Sequence, residues 1–82
     1  LTLAEARILG LFCEVLGRGD LGPEDDFFDA GGHSLLAVRL VNLLGSRLNQ
    51  RIALREFFES PTARGVAALV EARNPGGGGV RT

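Results

Sequence analysis

Among the side chains able to do chemistry, Ser34 has the most suggestive surroundings, inside the run Gly31-Gly32-His33-Ser34-Leu35. The paired glycines let the backbone turn closely, and the periodic apolar segment after Ser34 marks a helix, so the hydroxyl stands where a loop becomes a helix. Unpaired amides of a first turn and the positive end of the helix macrodipole favour an anion there. A phosphate esterified to Ser34 would therefore sit in a favourable field, although the ordinary role of a serine at such a boundary is only to cap the helix. Other chemistries fail on the residues present. Gly32-His33-Ser34 begins like a nucleophile elbow, but Leu36 occupies the position where glycine is required. His33 is the single histidine and adjoins Ser34, which makes it a poor candidate for the separately positioned base of a triad. The absence of any lysine excludes a phosphate-binding loop, and Glu24 to Asp29 lacks the alternating ligand spacing of a calcium loop. A lone cysteine, Cys13, can form no internal disulfide, and with His33 it makes no zinc ligand set. At the edge of an apolar stripe, Cys13 reads as a small buried hydrophobe.

The elements that position Ser34 follow from capping and periodicity. Thr2 and Glu5 have capping-box spacing, and Ala4, Ile8, Leu11, Phe12, Val15 and Leu16 recur on one stripe, which predicts a helix from Leu3 to Leu16. Gly17, Gly19, Asp20, Gly22 and Pro23 break that pattern, and an acidic loop continues to Gly32. So long a loop in a small domain is functional or anchored; Leu21, Phe27 and Phe28 are the available anchors, and both phenylalanines are expected to pack at least partly inward. A second helix is predicted from Leu35 to Asn49 with Ser34 as its N-cap. At about 100° per residue its core face is Leu36, Ala37, Leu40, Val41, Leu44 and Leu48, whereas Leu35 and Val38 fall on the opposite face with Arg39. Leu54 to Glu59 predicts one or two helical turns. Ser60, Pro61 and Thr62 then start a last helix, with the proline at or near its first position and its end near Arg73. Asn74, Pro75 and four glycines read as a flexible linker or tail over residues 74–82, leaving 1–73 as the domain. The fold class is all-α, a small bundle of three main helices and one short one.

Composition narrows the function. Hydrophobic residues are 45% and charged residues 23% of 82, which is ordinary for one soluble globular domain. Nine arginines against ten acids leave a net charge of -1, so no basic field favours nucleic acid. The arginines are read as solvated surface charge, with Arg39 near enough to the Ser34 end to touch a partner. No apolar run approaches the roughly 18 residues of a membrane span, and the chain is expected to be cytoplasmic. The start at Leu1 suggests a piece of something longer, monomeric when excised.

From Asp26 to Ala37 the residues Asp-Phe-Phe-Asp-Ala-Gly-Gly-His-Ser-Leu-Leu-Ala closely resemble the core signature of peptidyl carrier, or thiolation, domains of nonribosomal peptide synthetases, within the acyl-carrier-like family. Leu54 to Thr62 is similar to that family's approach to its last helix. The resemblance implies that a phosphopantetheinyl transferase, using coenzyme A and magnesium, attaches 4'-phosphopantetheine to Ser34, with Gly32, His33 and Leu35 flanking the site. It further implies a non-catalytic carrier in antibiotic-type biosynthesis. An adenylation domain would load an amino acid as a thioester, a condensation domain would use it, and thioesterase or tailoring domains would be further partners. Fatty-acid and polyketide carriers usually have aspartate where His33 stands, so His33 favours the peptidyl branch and a conventional elongation module. Leu35, Val38 and Arg39 would form the surface those partners read. A helical interaction domain with an unmodified serine is the remaining alternative.

Overall fold

The computed structural model describes residues 1–73. Four helices follow one another: α1 (Leu3–Leu16), α2 (Ser34–Leu48), α3 (Leu54–Glu59) and α4 (Ala63–Arg73). The described residues contain no strand. The expected linker at 74–82 lies outside the described residues.

α1 begins as its sequence dictates. Thr2 Oγ1 accepts from Glu5 N at 3.0 Å while Glu5 Oε1 accepts from Thr2 N at 3.0 Å, a complete capping box. Its end is set by Gly17, whose left-handed φ of 69° turns the chain and aims its N–H at Cys13 O. The start of α3 has half of the same device, since Glu56 Oε1 accepts from Ala53 N at 3.0 Å and alanine has no acceptor to return.

Ile8, Leu11 and Phe12 of α1 meet Ala37, Leu40, Val41 and Leu44 of α2, Phe57 of α3 and Ala63, Val66 and Ala67 of α4 in one core. Leu36 and Leu48 pack against it while remaining half-buried. The connections contribute too, through Phe27 and Ile52. Phe27 is fully buried, as expected of an anchor, with edge-to-face contacts to Phe12, Phe28 and Phe57 at centroid distances of 5.5, 5.4 and 5.3 Å. Burying one such ring stabilises by about 1.5 to 3 kcal/mol, enough to hold a loop that has no regular structure. Phe28 is half-buried and Leu21 rests on the core edge, so all three expected anchors serve.

Three expectations need correction. Ser34 is the first residue of α2 and His33 is its N-cap, because His33 is extended (φ -147°, ψ 178°) and its carbonyl already accepts from Ala37 N. Asn49, expected inside α2, is its left-handed C-cap at φ 57°, a conformation asparagine tolerates. Pro61 lies before α4 and not at its first turn. Thr62 begins that turn, its Oγ1 accepting from Gly65 N at 2.9 Å and its carbonyl from Val66 N at 2.9 Å.

Candidate functional site

The loop from Gly17 to His33 is held at several points before it reaches Ser34. Phe27 N donates to Pro61 O at 2.8 Å and Arg64 N to Pro23 O at 2.9 Å, which fasten its middle to the start of α4. Arg64 also bridges Glu24 and, at 3.4 Å, Glu5. Asp26 Oδ1 accepts from Phe28 N and Asp29 N at 2.8 and 3.2 Å, an Asx turn that coils the segment after it. Two bonds then close the coil on Ser34's approach, Gly31 N to Phe28 O at 3.2 Å and Gly32 N to Phe27 O at 2.9 Å.

Both glycines are required there, for different reasons. Gly31 has φ of 115°, a conformation unfavourable for any residue with a Cβ. Gly32 lies against Phe27, and a Cβ on it would stand 2.8 Å from that residue's carbonyl oxygen.

Ser34 and His33 are exposed, and α2 has no acidic residue in its first turn. Its first backbone bond is Ala37 N to His33 O at 2.8 Å, so the amides of Ser34, Leu35 and Leu36 precede the ladder. An exposed hydroxyl, three amides outside the ladder and no competing carboxylate on that turn are what a phosphodiester needs. His33 occupies the cap position, and its side chain makes no cap bond. The site thus fits the phosphopantetheine group on its chemistry. Among the described residues no cluster of His, Cys, Asp and Glu is placed to hold a metal.

The sequence-derived partner residues lie together on one face of α2. Leu35 is 68% exposed and Val38 42% exposed, and Arg39 is exposed beside them. Phe58 of α3, 44% exposed, went unremarked in the sequence; its ring lies 5.6 Å from that of Phe28. Period alone gives no signal for it, because a six-residue helix has no well-defined faces. Cys13 is half-buried, less enclosed than expected. The arginines of the described residues are exposed surface charges, as read, but several have protein partners, Arg7 among them through Arg47 O at 3.4 Å. Arg64 bridges two carboxylates, Arg73 binds Glu56 and donates to Arg51 O at 2.5 Å, and Arg18 forks onto Asp20 while donating to Ala30 O at 2.9 Å. The carboxyls answer in kind. Glu5 and Glu56 are held below the ordinary carboxylate range first by backbone N–H donors, from Thr2 and Ala53, and then by Arg64 and Arg73; Asp20 is lowered first by Arg18.

No helix of the described residues is long and apolar enough to cross a membrane. Residues 6–70 match the model of the family described as "Phosphopantetheine attachment site". A probable non-canonical nonribosomal peptide synthetase, CymA of Salinispora arenicola (strain CNS-205), is 45% identical over 75 residues, covering 90% of this chain and 1% of that protein. The chain spans between 1% and 3% of the length of that relative and two Bacillus subtilis synthetases that it also matches. Among solved structures, one described as a non-ribosomal PCP domain superposes with a TM-score of 0.71 at 37% identity, covering 84% of this chain and 88% of that one. A chain in the structure of the phosphopantetheine transferase Sfp, in complex with coenzyme A and a peptidyl carrier protein, superposes with a TM-score of 0.84 at 27% identity, covering 89% and 95%. The fold, the exposed serine after Gly31-Gly32 and these likenesses agree: the chain belongs to the phosphopantetheine-attachment family, as a non-catalytic peptidyl carrier domain of the nonribosomal peptide synthetase type.

Proposed function

We propose that Ser34 is the attachment residue for 4'-phosphopantetheine and that this domain presents the resulting arm to successive enzymes of a peptide synthetase. The observation that supports it most is the position of Ser34: exposed, first in α2, one residue beyond the Gly31-Gly32 turn and inside the matched span. In the attachment step a transferase brings coenzyme A to the hydroxyl. Ser34 Oγ forms a bond to the pantetheine-side phosphorus and loses its proton, while the pyrophosphate linkage breaks and the adenosine bisphosphate half leaves. The first turn of α2 would hold the phosphodiester with the amide donors of Ser34, Leu35 and Leu36 and the positive end of its dipole. Once bound, the group supplies a terminal thiol that holds an aminoacyl or peptidyl chain as a thioester. The domain contributes tethering, which turns each meeting with a neighbouring active site into an intramolecular event at high effective concentration.

Leu35 and Val38, with Arg39 at their side, form the surface read by the transferase, adenylation and condensation domains, and by thioesterase or tailoring domains where these follow. Two exposed apolar side chains beside the attachment point are an unusual use of a solvent-facing helix. A small, transient interface centred on them suits a carrier that must leave each partner. The decisive experiment incubates the unmodified protein with coenzyme A, magnesium and a broad-specificity transferase and follows intact mass. One phosphopantetheinyl unit should appear on the wild type and none on Ser34→Ala; an inert wild type or a modified variant overturns the assignment.

A further inference from the structure

Besides the ties already described, one side chain joins the two ends of the loop that delivers Ser34. Arg18, the second residue beyond α1, donates from Nη1 to the carbonyl oxygen of Ala30 at 2.9 Å, across twelve residues of chain. Its other donors are committed to Asp20: Nε to Oδ1 at 3.0 Å and Nη2 to Oδ2 at 2.8 Å. A guanidinium forked onto a carboxylate has a fixed plane, so Asp20 determines where Nη1 points. The root of the side chain is fixed as well, because Arg18 N donates to Cys13 O at the end of α1. The raised pKa of Arg18, due first to Asp20, accords with this pairing.

Ala30 O belongs to the same peptide plane as Gly31 N, and the rotation of that plane is what the φ of Gly31 measures. Gly31 sits at φ 115°. Glycine adopts positive and negative φ with similar ease, so it cannot hold that plane by itself. The N–H side of the plane donates to Phe28 O at 3.2 Å, a long bond, and the contact on the oxygen side is the one Arg18 makes at 2.9 Å, four residues before Ser34.

We propose that Arg18, oriented by Asp20, is a positioning residue for the modification of Ser34: it pins the Ala30–Gly31 peptide and so keeps the turn into α2 in the conformation a transferase accepts. This rests on Ser34 being the attachment site. If only a fraction of molecules hold the competent turn, the apparent affinity falls by that fraction while turnover of the bound complex does not. Loss of Arg18 therefore raises KM for the carrier and leaves kcat in place.

The test measures pantetheinylation of the full chain against carrier concentration for wild type, Arg18→Ala, Arg18→Lys, Asp20→Asn and the double variant Arg18→Ala/Asp20→Asn, with melting temperature and amide exchange at Gly31 to Ser34 alongside. Arg18→Ala should raise KM about threefold to tenfold, the range expected for one hydrogen bond from a charged donor at a partly exposed site. Exchange at Gly31 and Gly32 should quicken, with little change in melting. Arg18→Lys, which keeps a donor for Ala30 O but not the fork, should recover part of the loss. Asp20→Asn should have a smaller effect that disappears when Arg18 is already alanine. An unchanged KM in Arg18→Ala, or a fall in kcat at constant KM, overturns the proposal while wild type is still modified; an unmodified wild type instead refutes the Ser34 assignment. Should Arg18→Ala fail to fold, Asp20→Asn decides, and an unchanged KM there overturns the proposal equally.

Discussion

Gly32→Ala tests how tightly the site is built into the core. The new Cβ would lie 2.5 Å from Cδ2 and 2.8 Å from the carbonyl oxygen of Phe27, with Cε2 nearer still. Ordinary contact begins near 3.4 Å, so against the oxygen alone the backbone must open by roughly 0.6 Å (3.4 less 2.8). The Phe27 ring cannot retreat, being fully buried among Phe12, Phe28 and Phe57. The oxygen is also the acceptor for Gly32 N at 2.9 Å, so opening the gap breaks that bond. Overpacking costs about 1 to 3 kcal/mol and the lost bond about 1 kcal/mol, together about 2 to 4 kcal/mol. For a domain of this size that lowers the melting temperature by roughly 10 to 30 °C. Gly10→Ala is the matched control. It lies on the exposed side of α1 with nothing within 4 Å of the added carbon, so the better helix propensity of alanine should raise the melting temperature by a few degrees. Thermal unfolding followed by far-ultraviolet circular dichroism reads both. A Gly32→Ala protein that melts within about 2 °C of wild type would refute the close-approach argument.

Leu40→Ala, at a fully buried position, should cost about 2 to 5 kcal/mol, whereas Leu35→Ala and Val38→Ala should stay within about 0.5 kcal/mol in melting experiments and yet slow pantetheinylation or aminoacyl loading. The reverse pattern would remove the partner-surface assignment. Cys13→Ser should leave aminoacyl loading intact, because the reactive thiol belongs to the arm; loss of loading in a folded, pantetheinylated variant contradicts this. Acid should unfold the domain partly through Glu5 and Glu56. Their folded pKa values lie below the ordinary 4.5, so the stabilisation is complete above that pH and is lost as pH falls through the folded values. Glu5→Gln and Glu56→Gln should flatten the decline of melting temperature on that limb, and an unchanged slope would show that these carboxylates contribute nothing to it.

Signals that act within one turn of chain were legible in the sequence. The capping box at Thr2 and Glu5 and the break at Gly17 bound α1 correctly, and Leu54 to Glu59 was found whole. The core face of α2 followed from its period, as did the exposure of Leu35 and Val38. Where the reading slipped, a distant partner or a single torsion decided the outcome. Whether Ser34 caps α2 or begins it depends on the extended backbone of His33, and composition does not determine one torsion. Pro61 sits outside α4 while its carbonyl serves Phe27 N, a bond across 34 residues (61 less 27) that no local pattern announces. The partners of the exposed arginines are equally distant, since Arg64 finds Glu24 at a separation of 40 residues and Arg18 finds Ala30 at twelve.

That division has a mechanical consequence for the carrier. The turn into Ser34 is specified locally, by two glycines and a helix start, but the loop that presents it is held by α1 through Arg18 and by the start of α4 through Pro61 and Arg64. Local openings in proteins run through the segments with fewest buried contacts, and this loop contributes one fully buried side chain, Phe27, against a larger number of exposed polar ties. The start of α4 is therefore tied to the loop that leads to Ser34. Fraying there would release Phe27 N and the Pro23 carbonyl together, and with them the aromatic contact that Gly32 lies against.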